Sequence, residues 1–154
     1  MVIGILIILA GIGFLLRREL VAAVSPVPPS IGLQNGKLSP CPSSPNCVST
    51  EATTALHQIA PILLAGTPAQ AQDKLLAALK ALPNVTIVTN RAGYIHAEFR
   101  TPGMGFIDDA EFVLSDGGAG NSRVDLRSAS RLGRGDMGVN RRNMEAVRTA
   151  LSSK

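Results

Sequence analysis

The 154-residue chain has no tryptophan, one tyrosine and four phenylalanines. That poverty excludes the exposed aromatic platforms on which single-stranded nucleic acid stacks, and it leaves Leu, Ile, Val and Ala to build the core. Lysine is missing between Arg123 and Arg148, where seven arginines meet only Asp125, Asp136 and Glu145. The net charge of +4 is modest, so this clustering says more than the total. A basic patch this small, with no aromatics and no reading helix, argues against nucleic acid as a partner. The G-x-S-x-G elbow of a serine hydrolase is also missing, so no catalytic residue can be named from motif.

What is present first is apolar. Val2–Leu16 is a run of fifteen uncharged residues, followed by Arg17-Arg18-Glu19 and then LVAAV. Fifteen residues of helix reach about 22 Å, short of a roughly 30 Å hydrocarbon core. Snorkelling by Arg17 and Arg18 and continuation through Leu20–Val24 close the gap. A cleaved signal peptide is the rival, but it wants basic residues before the apolar run. The expectation is an N-terminal transmembrane anchor over residues 1–24 and a single-pass membrane protein. Ser25–Pro40, with prolines at 26, 28 and 29, reads as a semi-stiff linker, and residues 41–154 read as the folded domain.

Cys41 and Cys47 are the only cysteines. Two thiols alone make a poor zinc site. A small disulfide loop fits the spacing and implies an oxidising compartment, with a pair of reduced cysteines as the alternative. The thiols thus favour an extracytoplasmic domain, while Arg17 and Arg18 favour a cytoplasmic one.

Thr67–Pro83 is the clearest helix, with Thr67 as N-cap, Pro68 at the first position, Gln70 completing a capping box and a Leu75/Leu79/Leu82 stripe. The period then changes to two in Val85–Asn90, Tyr94–Arg100, Phe106–Ser115 and Arg123–Ser130. A last helix from about Asn140 to Ser152 places Met144, Val147 and Leu151 inward. The predicted fold is α+β: a four-stranded antiparallel sheet covered on one face by two helices, preceded by the N-terminal hydrophobic helix. Alternation puts Ile95, Ala97, Phe99, Val124 and Leu126 inside. It puts His96, Glu98, Arg100, Asp109, Glu111, Arg123, Asp125 and Arg127 on an outer lattice of charge.

RSASRLGRGDMGVNRR, residues 127–142, joins the last strand to the last helix. It contains G-x-G-x-x-G, but no strand follows to complete a dinucleotide fold. Helix N-termini attract anions, which makes Arg127, Arg131, Arg134, Asn140 (as N-cap) and Arg141 candidate anion-binding residues. The equal alternative is an internal clamp in which Asp108, Asp109 and Asp136 hold the arginines. His96, Glu98, Asp109 and Glu111 are weaker candidates for a metal or an acid–base site, since three arginines share their face; no metal or other cofactor is expected.

The blocks CPSSPNCVST, HQIAPI, GFIDDAEF and RSASRLGRGDMGVNRR resemble, in that order, those of an uncharacterised bacterial and plastid family, domain of unknown function 1499. The resemblance runs from about Leu38 to Leu151. It implies the α+β domain and an exported or membrane-attached protein, but it carries no activity. Three functions stand open. The first is a membrane-anchored, non-enzymatic binding module for a lipid headgroup, a phosphorylated small molecule or a membrane protein. The others are a hydrolase-like or metal-dependent enzyme using the His96/Glu98/Asp109/Glu111 face, and an assembly factor for a membrane complex.

Overall fold

The computed structural model describes residues 11–13, 15–16 and 19–152. The described residues form six strands and two long helices: β1 (Cys47–Ser49), β2 (Ile62–Ala65), α1 (Pro68–Ala81), β3 (Val85–Arg91), β4 (Tyr94–Arg100), β5 (Ile107–Gly118), β6 (Asn121–Ser130) and α2 (Val139–Ser152). The class is α+β. The sheet is larger than the four strands expected. β1 and β2 lie end to end along the outer edge of β6, at Arg127–Ala129 and at Asn121–Val124, and the order then runs β6-β5-β4-β3 with every pair antiparallel. Three and four residues are too few to display an alternation, which is why periodicity passes over β1 and β2.

Both helices lie on one face of the sheet. Thr67 caps α1, taking the Gln70 amide on its hydroxyl while Gln70 Oε1 takes the Thr67 amide at 2.9 Å. Leu75 and Leu79 of α1, Met144 and Val147 of α2, and Ile95, Phe112, Val124 and Leu126 of the sheet are all fully buried together. No helix among the described residues is long and apolar enough to cross a membrane. Most of the predicted anchor lies outside the described residues. Residues 11–13, 15, 16 and 19–23 are helical, with Ile12, Leu15, Leu16 and Leu20 exposed.

Ser25–Pro40, expected as a spacer, packs against the sheet's other face. Arg131 Nη1 donates to the Ser25 carbonyl at 3.1 Å, and the Gly32 amide donates to Glu111 Oε1 at 2.7 Å. Ser25, Leu38 and Ser39 are buried. This strap covers the charge lattice, so His96, Asp109, Glu111 and Arg127 are buried too rather than solvated. Cys41 and Cys47 form a disulfide that fixes the strap's end beside β1. Closing so short a loop is worth about 2 kcal/mol on the chain-entropy model. Reduction is therefore expected to lower the melting temperature by several degrees, measured in matched samples with and without a phosphine reductant.

Candidate functional site

The last strand and the last helix meet where the arginine- and glycine-rich segment folds back on itself. Met137 (φ +51°) and Gly138 (φ +78°) take left-handed conformations there and turn the chain into α2. The cap is Asp136, not Asn140. Asp136 Oδ1 accepts from the Gly138 amide at 2.9 Å and Oδ2 accepts from the Asn140 amide at 2.8 Å. Burial raises the Asp136 carboxyl, but these amides and the Asn140 side chain outweigh it and hold the group below the ordinary carboxylate range. The helix N-terminus thus already holds an anion, supplied by the chain itself.

Asn140 sits inside the first turn, fully buried. Its Oδ1 accepts from Ser128 Oγ, and its Nδ2 donates to Asp136 Oδ2, Ser130 Oγ and the Asn46 carbonyl. Ser128 and Ser130 therefore donate their hydroxyls to side chains, the second to Asp108 Oδ1. Asn46 Nδ2 reaches the Gly133 carbonyl at 2.8 Å, which ties the disulfide loop to the same turn.

The five residues proposed for an anion separate into different environments. Arg131 is a fork: Nε and Nη2 each reach one Asp109 oxygen at 2.7 Å, Nη2 also reaches Glu98 Oε1 at 2.5 Å, and Nη1 holds Ser25. Arg141 Nη2 donates to the Leu56 and Gln58 carbonyls. Asn140 is consumed as described. Arg134 is exposed and hydrogen-bonds no described residue. Arg127 is the exception. It is 4% exposed, its one side-chain hydrogen bond is Nη1 to Glu111 Oε2 at 3.4 Å, and its buried Nε has no partner among the described residues.

Arg127 forms part of the wall of a cleft of about 400 Å³ between strap and sheet, facing Pro28, Ile31 and Pro42. Glu111 cannot close on it further, because its other oxygen is held by the Tyr94 hydroxyl at 2.8 Å and by Gly32. The charged lattice divides accordingly: Glu111 stands opposite Arg127 in the register, while Asp109 turns to Arg131 and His96. Burial raises the Asp109 carboxyl, and the bonds from Arg131 and His96 more than reverse this.

A second recess, about 310 Å³, opens beside the turn between the β4–β5 loop and the β6–α2 connection. Asp108 lines it, buried, accepting from Ser130 Oγ and Asn143 Nδ2. Burial, and then the charges of Asp136 and Asp109, raise Asp108 to about 6 despite the Ser130 bond. Of the four residues considered for a metal, His96 and Asp109 bind each other at 2.7 Å and Glu98 and Glu111 are engaged by arginines. Among the described residues no three His, Cys, Asp or Glu side chains converge as a metal cluster.

The family model for the protein of unknown function DUF1499 matches residues 37–151. The chain belongs to the DUF1499 family. No curated protein matches it. The matched segment contains the six described strands, the first long helix and all but the last residue of the second, and leaves out the strap before Lys37 and the residues that precede it. Ser25 and Gly32 escape detection in sequence because each contributes only a backbone atom.

Proposed function

We propose that this DUF1499 domain is a non-enzymatic binding module, held at a membrane by its apolar N-terminal run, that takes an anionic group at Arg127. The supporting observation is Arg127, which lines the cleft and whose guanidinium has a buried Nε with no partner among the described residues. Leaving such a donor unpaired costs about 1–3 kcal/mol, and a carboxylate or phosphate oxygen supplies the missing acceptor with matched geometry. The ligand classes are a phosphorylated small molecule, a lipid headgroup or an acidic side chain of a membrane protein. Binding rather than turnover suits the neighbourhood: Asp109 is held by His96 and Arg131, and Glu98 by Arg131.

The test is thermal denaturation of the full chain with inorganic phosphate or acetate, at two ionic strengths. Ligand at about a hundred times its dissociation constant adds about 2.7 kcal/mol, a shift of several degrees. Wild type and Arg134→Gln are expected to shift alike, and Arg127→Gln is expected to lose the shift while remaining folded by circular dichroism. Equal shifts in all three proteins, or none in the wild type, would overturn the reading.

A further inference from the structure

The two ends of the sheet are made differently. At one end, the β3–β4 turn is Arg91-Ala92-Gly93 and the β5–β6 turn runs Asp116–Asn121 through small and polar residues. At the other end stand four large apolar side chains in solvent: Met104 at 48% exposure, Phe106 at 39%, Leu132 at 38% and Met137 at 94%. They line a single recess. A contiguous apolar patch of this kind marks a contact surface, whereas scattered exposed residues such as Leu63 and Val88 do not. Met137 is also held at positive φ, uncommon for a residue with a side chain, by the hydrogen bonds of Asp136 on either side of it.

The chain that follows the apolar N-terminal run is fastened at this same end. Ser25 is fastened to Arg131, the residue before Leu132, and the Arg131 amide donates to the carbonyl of Ile107, the residue after Phe106. Leu20, Val24 and Val27 are exposed on the approach to Ser25 and just beyond it, and Val2–Leu16 lies fewer than ten residues upstream. Cations rim the patch. Arg134 is exposed, Arg142 is exposed with its Nη1 on the Met137 carbonyl at 2.8 Å, and Arg100, which reaches Glu98, is partly exposed; the carboxylates that line the recess, Asp108 and Asp136, are engaged by Ser130, Asn140 and backbone amides. Apolar tips flanked by arginine are the composition of a surface that enters the headgroup layer, with side-chain stems in the acyl boundary and guanidiniums at the phosphates.

We propose that the Met104–Phe106 and Leu132–Met137 loops dip into an anionic bilayer, so that the domain rests end-on at the membrane instead of floating on a tether. This surface is separate from the Arg127 cleft, and either can fail without the other.

The absence of tryptophan makes the test clean. Met137→Trp and, at the opposite end of β6, Leu63→Trp each place a single indole in the full chain at a position that is already exposed. Both proteins are reconstituted in phosphatidylcholine vesicles containing phosphatidylglycerol, with and without bromine on the acyl chains. The Met137→Trp emission is expected to move to the blue and to lose most of its intensity to bromine, while Leu63→Trp stays solvent-like and unquenched. Failure of the chain to float with the vesicles overturns the proposal, as does a solvent-like Met137→Trp. Equal quenching of both indoles also overturns it, since adsorption then has no preferred end. A blue shift without bromine quenching assigns the patch to a protein contact and overturns it likewise.

Discussion

Arg131→Ala is expected to lower the melting temperature of the full chain by on the order of 15 °C. The side chain is 5% exposed and joins Asp109, Glu98 and the Ser25 carbonyl, so its loss strands the buried Asp109 carboxylate, removes a partner of the partly buried Glu98 and frees the strap. Removing one partner of a buried pair costs about 3–5 kcal/mol, far more than the pair adds relative to an apolar replacement. For a domain of this size each kcal/mol moves the transition by about 4 °C. Arg131→Lys keeps the charge but not the fork, and is expected to fall between wild type and Arg131→Ala. Arg134→Ala, at an exposed position, is the control and should stay within about 0.5 kcal/mol of wild type. Thermal denaturation followed by circular dichroism decides the matter; an Arg131→Ala protein as stable as Arg134→Ala would remove the clamp from the account of the fold.

The second large effect depends on pH and belongs to Asp108. Its carboxyl rises from 3.8 to about 6 on folding, so the folded chain binds this proton more tightly than the unfolded chain. The stability it contributes is therefore full below about pH 4 and is lost as pH rises through about 6. The difference amounts to roughly 3 kcal/mol. Asp109 works in the opposite sense, but its depressed carboxyl acts below pH 4 and leaves this window clear. Asp108→Asn is neutral at every pH and still offers Ser130 an acceptor. It is expected to match wild type near pH 4.5 and to exceed it by about 2 kcal/mol near pH 8. Parallel stability profiles for the two proteins would show that Asp108 carries no such penalty.

Helices and long strands were readable because their signals are side-chain periodicities. Thr67, Pro68 and Gln70 announce α1, and the alternation in Tyr94–Arg100 and Arg123–Ser130 places each residue on the face where it is found. The charge lattice was readable as a face but not as a buried one. Its cover is the strap, which recognises the sheet through the Ser25 carbonyl and the Gly32 amide. Any residue supplies those atoms, so no side-chain pattern betrays them. The same holds at the turn, where Asp136 outcompetes Asn140 as cap. Both are good cap residues, and the choice follows from Asn140 being drawn inward by Ser128 and Asn46, contacts from residues 12 and 94 positions away. Arginine count pointed to the segment and included Arg127, but could not say which guanidiniums the chain itself engages: Arg131 and Arg141 are held by its own carboxylates and carbonyls, while Arg127 Nε has no partner among the described residues.

The placement of β6 bears on how the chain comes to be folded during synthesis. β6 is the last strand made, yet it pairs with β5, β1 and β2, and the residue after it holds Ser25 across a separation of 106 positions. Until β6 is made, β5 lacks one neighbour and β1 and β2 have no strand to pair with, while the strap has Glu111 to hold Gly32 but not Arg131 to hold Ser25. Contacts of such long range make closure slow, and the waiting segments expose strand edges meanwhile. Truncation anywhere before Arg131 should thus leave an incompetent chain rather than a smaller domain, because the strap's Ser25 end cannot be fastened until Arg131 is made.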